Sequence, residues 1–132
     1  EDEPDIAEVL EFNLARSGFA VEVATRGDAA LESARRKAPD LLVLDLMLPL
    51  KDGLSVLEDL LSDPRTLGIP VVLLTAKTQL EDRKAGWRAG CAEYMTKPFS
   101  PVDLVGIAER AREMSTTERS LRREKELAQL GV

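Results

Sequence analysis

Apolar positions along the chain switch repeatedly between helical and strand spacing. After an acidic opening with Pro4, the segment from Asp2 to Ser17 places Ile6, Val9, Leu10 and Leu14 on helical spacing, and Gly18 closes it. Residues 19–24 alternate around Val21 and Val23 and predict a short strand. Ala30, Leu31 and Ala34 predict a close-packing helix over Gly27–Lys37, and Leu41–Asp45 a buried strand. Leu54, Leu57, Leu60 and Leu61 mark a further helix; residues 64–70 form a loop before a strand over Val71–Thr75. Leu80, Ala85 and Trp87 lie in a helix ending near Gly90, Glu93–Thr96 is a short strand, and Pro101 opens a helix carrying Leu104, Ile107, Ala108 and Ala111. The alternation implies right-handed βαβ units and a parallel sheet covered on both faces. A domain of this kind that opens on a helix leaves a gap in its sheet, because the strand that should feed the first helix is absent.

Three of these strands end on chemistry. Leu41-Leu42-Val43-Leu44 stops at Asp45, followed by Pro49 and Asp52-Gly53; Val71–Leu74 stops at Thr75-Ala76; and Glu93–Thr96 stops at Lys97-Pro98. In an open parallel sheet these ends share one edge, where such folds keep their sites. A carboxylate, a hydroxyl and an ammonium are therefore expected at one rim. The acidic Glu1 and Asp2 add to Asp45, and clustered carboxylates call for a hard divalent cation with oxygen ligands; Mg²⁺, which also accepts waters and phosphate oxygens, fits best.

Composition narrows the classes. A 132-residue chain, 44% hydrophobic and 32% charged, supports one globular core, and a net charge of −6 without a basic block argues against direct nucleic-acid or membrane binding. With one cysteine, Cys91, read as a small buried residue, and no signal-peptide pattern, a cytoplasmic location is expected. The absence of histidine excludes imidazole catalysis and imidazole metal sites within the chain. A Gly-rich phosphate loop is also missing, which disfavours a nucleotide enzyme.

Taken together, the acidic pair before the first helix, Asp45 with Pro49 and Asp52-Gly53, Thr75-Ala76 and Lys97-Pro98-Phe99 resemble the receiver domains of two-component response regulators, over about residues 1–112. The resemblance implies an α/β, flavodoxin-like (βα)5 fold of strand order 2-1-3-4-5; the first, central strand is absent from this chain, and the folded protein is expected to take it from residues upstream of these or from a second chain. It places a receiver domain at residues 1–114 and a charged helical extension or linker at 115–132. It further implies that Asp45 accepts a phosphoryl group from a sensor histidine kinase or phosphotransfer protein, with Lys97 and Thr75 assisting. Mg²⁺ would be held by Asp2, Asp45 and the Met47 carbonyl, and by Glu1 through water. Thr75 and Tyr94 would form the switch, and the readout surface would be the fourth helix, fifth strand and fifth helix, with Arg83, Lys84, Trp87 and Tyr94. Positions 47 and 77 would tune the lifetime of the phosphoryl group. Catalysis would be limited to this self-directed transfer and slow autodephosphorylation. Lys51 and Leu50 depart from the family's usual residues behind the acceptor, so the loop there is expected to fold differently.

Plainer readings stand beside these. Asp45 could cap a strand-to-helix turn, Glu1 to Glu3 could be only a helix first turn, Thr75 a strand residue, Lys97 a surface lysine and Tyr94 a core tyrosine. A pseudo-receiver that binds partners without phosphate is the alternative from another class. An aspartyl hydrolase fails because Met47 stands where a second acid is needed. In the tail, acidic and basic residues interleave as on a solvated helix, and Ser115-Thr116-Thr117-Glu118 reads as a capping box that restarts the helix. The frame Leu104, Ile107, Ala111, Met114 runs on to Glu118, Leu121 and Lys125, which interrupts a coiled-coil seam. A solvated extension, a signal-transmitting linker or a homodimer contact, through this helix or the readout surface, remain open.

Overall fold

The computed structural model describes Glu1 and residues 3–131. Among these, helices and strands follow in the order α1 (Pro4–Arg16), α2 (Gly27–Lys37), β1 (Leu42–Leu44), α3 (Gly53–Leu61), β2 (Val71–Thr75), α4 (Leu80–Ala89), β3 (Glu93–Thr96), α5 (Pro101–Glu113) and α6 (Thr116–Gln129). Local chemistry explains the helix starts. Pro4 and Pro101 occupy first turns, where a missing N–H costs nothing. The Asp52 side chain accepts from the Ser55 N–H at the head of α3 at 2.9 Å. Ser115 and Glu118 form the expected capping box, which separates α6 from α5.

The strands pair in parallel in the order β1-β2-β3, with Leu42 opposite Val71 and Leu73 opposite Tyr94. Alternate strand residues feed two cores. Leu44, Val71, Leu73 and Tyr94 pack with Leu31 of α2, Val56, Leu57 and Leu60 of α3 and Trp87 of α4. On the opposite face Leu74 packs with Leu10 of α1 and Leu104 of α5, while Val72 packs with Ala111 of α5. Burial on both faces is what the unbroken apolar runs at 41–44 and 71–74 demand.

The expected strand at residues 19–24 does not form: the segment has no ladder partner among the described residues. Its reason is non-local. The strand it would pair with is absent from the described residues, and between this segment, α1, α2 and the free edge of β1 lies a cavity of about 690 Å³. Ala7, Leu10 and Leu14 line it from α1, Ala30 and Ala34 from α2, and Val43 from β1. The observed β1-β2-β3 order corresponds to 3-4-5 of the expected sheet, with no 2-1 pair among the described residues.

Candidate functional site

Parallel pairing brings the C-terminal ends of all three strands to one rim. Asp45 directly follows β1, Thr75 closes β2, and Lys97 directly follows β3. The Lys97 N–H donates to the Thr75 carbonyl at 2.8 Å, locking these two ends in register. Asp45 is only 5% exposed. Its Oδ1 accepts from the Met47 N–H at 2.9 Å and its Oδ2 from the Lys97 ammonium at 2.7 Å.

Lys97 gathers the acids. Besides Asp45 it pairs with Glu1 Oε1 at 2.6 Å and approaches Glu3 Oε1 at 3.9 Å. Burial works against the Lys97 charge, but the hydrogen bonds to Asp45 and Glu1 outweigh it and hold its pKa above the ordinary lysine value. Two carboxylates thus converge on a cation, a donor set that suits a hard metal ion in the same role. Among the described residues no three His, Cys, Asp or Glu side chains form a ready-made metal cluster. Asp2, the other expected direct side-chain ligand, lies outside the described residues.

Thr75 is fully buried, and its Oγ1 accepts from the Lys77 N–H at 3.2 Å. The Tyr94 hydroxyl donates to the Lys77 carbonyl at 2.8 Å, so both expected switch residues grip one backbone unit. Burial and the nearby charge of Asp82 push the Tyr94 phenol up to about 12. Met47, 56% exposed, and Lys77, also exposed, flank the rim two residues beyond Asp45 and Thr75.

The loop behind Asp45 is held tightly. A Cβ on Gly53 would run into the Asp45 carbonyl oxygen, so only glycine lets the start of α3 approach the acid's backbone this closely. Leu50, 76% exposed, sits at φ +68°, a left-handed conformation disfavoured for a leucine. Lys51, the other departure, pairs with Asp59 of α3 at 2.7 Å.

Of the two readings open to Trp87, packing or partner surface, the structure favours packing. Trp87 is 3% exposed, because Arg122 of α6 lies over its ring at 5.6 Å and the indole joins the core. The sequence reading missed Gly86, where a Cβ would meet the Tyr94 ring at 2.8 Å; the available signal was a glycine inside a helical pattern.

The profile of the response regulator receiver domain matches residues 1–109. The chain belongs to the response regulator receiver domain family. This receiver domain is 43% identical over 104 residues to the alkaline phosphatase synthesis transcriptional regulatory protein PhoP of Bacillus subtilis, spanning 79% of the chain and 42% of that protein. Among solved structures it resembles the receiver domain of the sensor histidine kinase PA1611 of Pseudomonas aeruginosa, described with a magnesium ion in its active-site cleft (TM-score 0.80, 31% identity, 86% of this chain and 93% of that one). It also resembles the BeF3-activated N-terminal receiver domain of Klebsiella pneumoniae RstA (TM-score 0.79, 32% identity, 86% and 95%). The chain spans less than half the length of the curated relatives it matches. Its flavodoxin-like α/β class follows from this likeness and from the parallel sheet. Response regulators are signalling proteins rather than classical enzymes. No described helix is long and apolar enough to cross a membrane.

Proposed function

We propose that this receiver domain is a phosphorylation-dependent switch whose acceptor is Asp45, charged by a sensor histidine kinase or phosphotransfer protein. The observation that carries this reading is the buried Asp45 carboxylate, hydrogen-bonded to the Lys97 ammonium at 2.7 Å on the rim that also holds Thr75. A carboxylate oxygen of Asp45 attacks phosphorus, the bond from phosphorus to the donor's imidazole nitrogen breaks, and that nitrogen keeps the electron pair. Lys97 neutralises charge on the transferring group, and the Thr75 hydroxyl, whose oxygen accepts from the Lys77 N–H, donates to it. Asp2, Asp45 and the Met47 carbonyl would hold Mg²⁺, with Glu1 acting through water. The ion would supply positive charge where negative charge accumulates on the phosphate oxygens.

In this reading residues 1–114 are the switch and 115–132 a helical extension, the protein works in the cytoplasm, and the chain itself makes no nucleic-acid contact. Tyr94 follows Thr75 through their shared hold on Lys77. Treatment with acetyl phosphate and Mg²⁺, followed by intact mass measurement, tests the acceptor. The expected result is one phosphoryl adduct on the parent protein and none on Asp45→Asn. A full adduct on Asp45→Asn would sink the assignment, and a parent protein that never reacts would favour a phosphate-independent binding module.

A further inference from the structure

The α6 helix lies against the body of the protein at the far end of α4, away from the Asp45 rim. Its half-buried stripe, Arg119, Arg122, Arg123, Glu126, Leu127 and Leu130, follows helical spacing, and both leucines pack against the larger core. Arg122 is the centre of the contact. One of its nitrogens bonds both oxygens of Glu93 in β3, at 3.2 and 3.0 Å, the other bonds Glu126, and the guanidinium covers Trp87. The hold is nevertheless slight. No residue of α6 is fully buried, and Arg119 Nε is buried without a hydrogen-bond partner among the described residues, an uncompensated desolvation cost. A contact made of the Arg122–Glu93 pair, an Arg119 hydrogen bond to the Gly68 carbonyl at 3.2 Å, one ring contact and two leucines, opposed by an unpaired donor, can be reversed by a modest bias.

The docking residues are chain neighbours of the switch. Glu93 adjoins Tyr94 in β3, and Trp87 adjoins Gly86, whose Cα packs so closely on the Tyr94 ring that a Cβ would fall 2.8 Å from it. Tyr94 in turn holds the Lys77 carbonyl, and the Lys77 N–H holds Thr75. We propose that α6 is the output element of this receiver: docked through Arg122 on Trp87 and Glu93 while Asp45 is unmodified, and released when modification draws Thr75 away from Lys77 and Tyr94 shifts against α4. This rests on the phosphoacceptor reading above. Release bares Trp87, Leu127 and Leu130 together, an apolar surface absent from the docked form.

Trp87 is the only tryptophan, so fluorescence reports the surroundings of this one residue, and amide exchange along α6 separates the helix's release from a shift inside the core. The full chain is compared before and after reaction with acetyl phosphate and Mg²⁺, with the adduct quantified by intact mass, acrylamide quenching of Trp87 and amide exchange along α6 read on the same sample. Modification should raise the quenching and speed exchange in α6 by about tenfold, as for a local opening made about 1.4 kcal/mol easier. Unmodified Arg122→Ala should show the same two changes while still forming the adduct. Should that variant fail to fold, Glu93→Gln removes the ionic part of the contact from the strand side. A complete adduct with unchanged quenching and exchange overturns the coupling but leaves the acceptor standing. Failure to form any adduct overturns the acceptor, and the coupling with it. An Arg122→Ala or Glu93→Gln protein indistinguishable from the parent shows that this contact does not hold α6.

Discussion

At the scale of single residues, Met47 and Lys77 stand at the mouth of the site, each giving its backbone N–H to the acceptor or the switch threonine. Neither side chain can accept a proton from a water attacking phosphorus in line, which predicts slow loss of the phosphoryl group. Met47→Asn combined with Lys77→Glu should shorten the lifetime by about tenfold, or about 1.4 kcal/mol of barrier. Phosphate release after donor removal measures it, and an unchanged or longer lifetime refutes the control assigned to these side chains. Tyr94 offers a second test. As the only tyrosine, its phenolate absorbance should titrate near 12 in the folded protein rather than near 10. A pKa raised by folding means the native state keeps a proton that the unfolded chain loses, so the contribution is whole below pH 10 and disappears as pH rises to about 12. Tyr94→Phe should remove that part of the alkaline loss of stability, read from denaturant midpoints across this range.

At the scale of elements, the placement of α3 depends on Gly53. Because the added methyl of Gly53→Ala would strike the Asp45 carbonyl oxygen, the head of the helix must retreat. The expected cost is about 2 kcal/mol, typical of overpacking a tight site, together with slower adduct formation as the Asp45 backbone shifts. Urea unfolding and timed mass measurement report the two effects, and normal values for both would mean that the loop absorbs the methyl freely. In the tail, the interruption expected of the α5 frame at Glu118, Leu121 and Lys125 agrees with a Leu121 that is 61% exposed, and the stripe that docks instead runs through Arg119, Arg122, Glu126 and Leu130. The capping box breaks the helix after Met114, so the phase of α5 does not carry into α6.

At the scale of the molecule, the cavity of about 690 Å³ beside β1 is bounded by apolar side chains of α1, α2 and β1, by charged residues that include Glu22, Lys37 and Arg112, and by a strand edge without a partner among the described residues. Such an edge and an open core are costly for a domain whose whole stability is about 5–15 kcal/mol. An apolar strand fused ahead of Glu1, or added as a peptide of alternating Val and Ile, should enter this slot and convert residues 19–24 into a paired strand. The melting temperature should rise by more than about 8 °C, equivalent to about 2 kcal/mol in a domain of this size. Calorimetry reads the rise, and amide protection in residues 19–24 shows whether the pairing caused it. A melt unaffected by either form of the strand would refute the slot as a strand acceptor.

Much of this receiver was legible without a structure. Local periodicity and end signals suffice for helices α1 to α5 and for strands β1 to β3, since the apolar runs at 42–44 and 71–74 supply cores on both faces of the sheet and close on Asp45 and Thr75. Parallel pairing then requires Asp45, Thr75 and Lys97 to meet, because strands running the same way end at the same edge. What the sequence could not determine depended on partners distant along the chain. Residues 19–24 have strand spacing but no neighbour to hydrogen-bond, and a strand exists only as a pair. Trp87 is open by its spacing to packing or to partner contact, and Arg122, from the last helix, covers it. The phase of α6 and the burial of Trp87 were settled by packing, where the energy lies in contacts that no local pattern records.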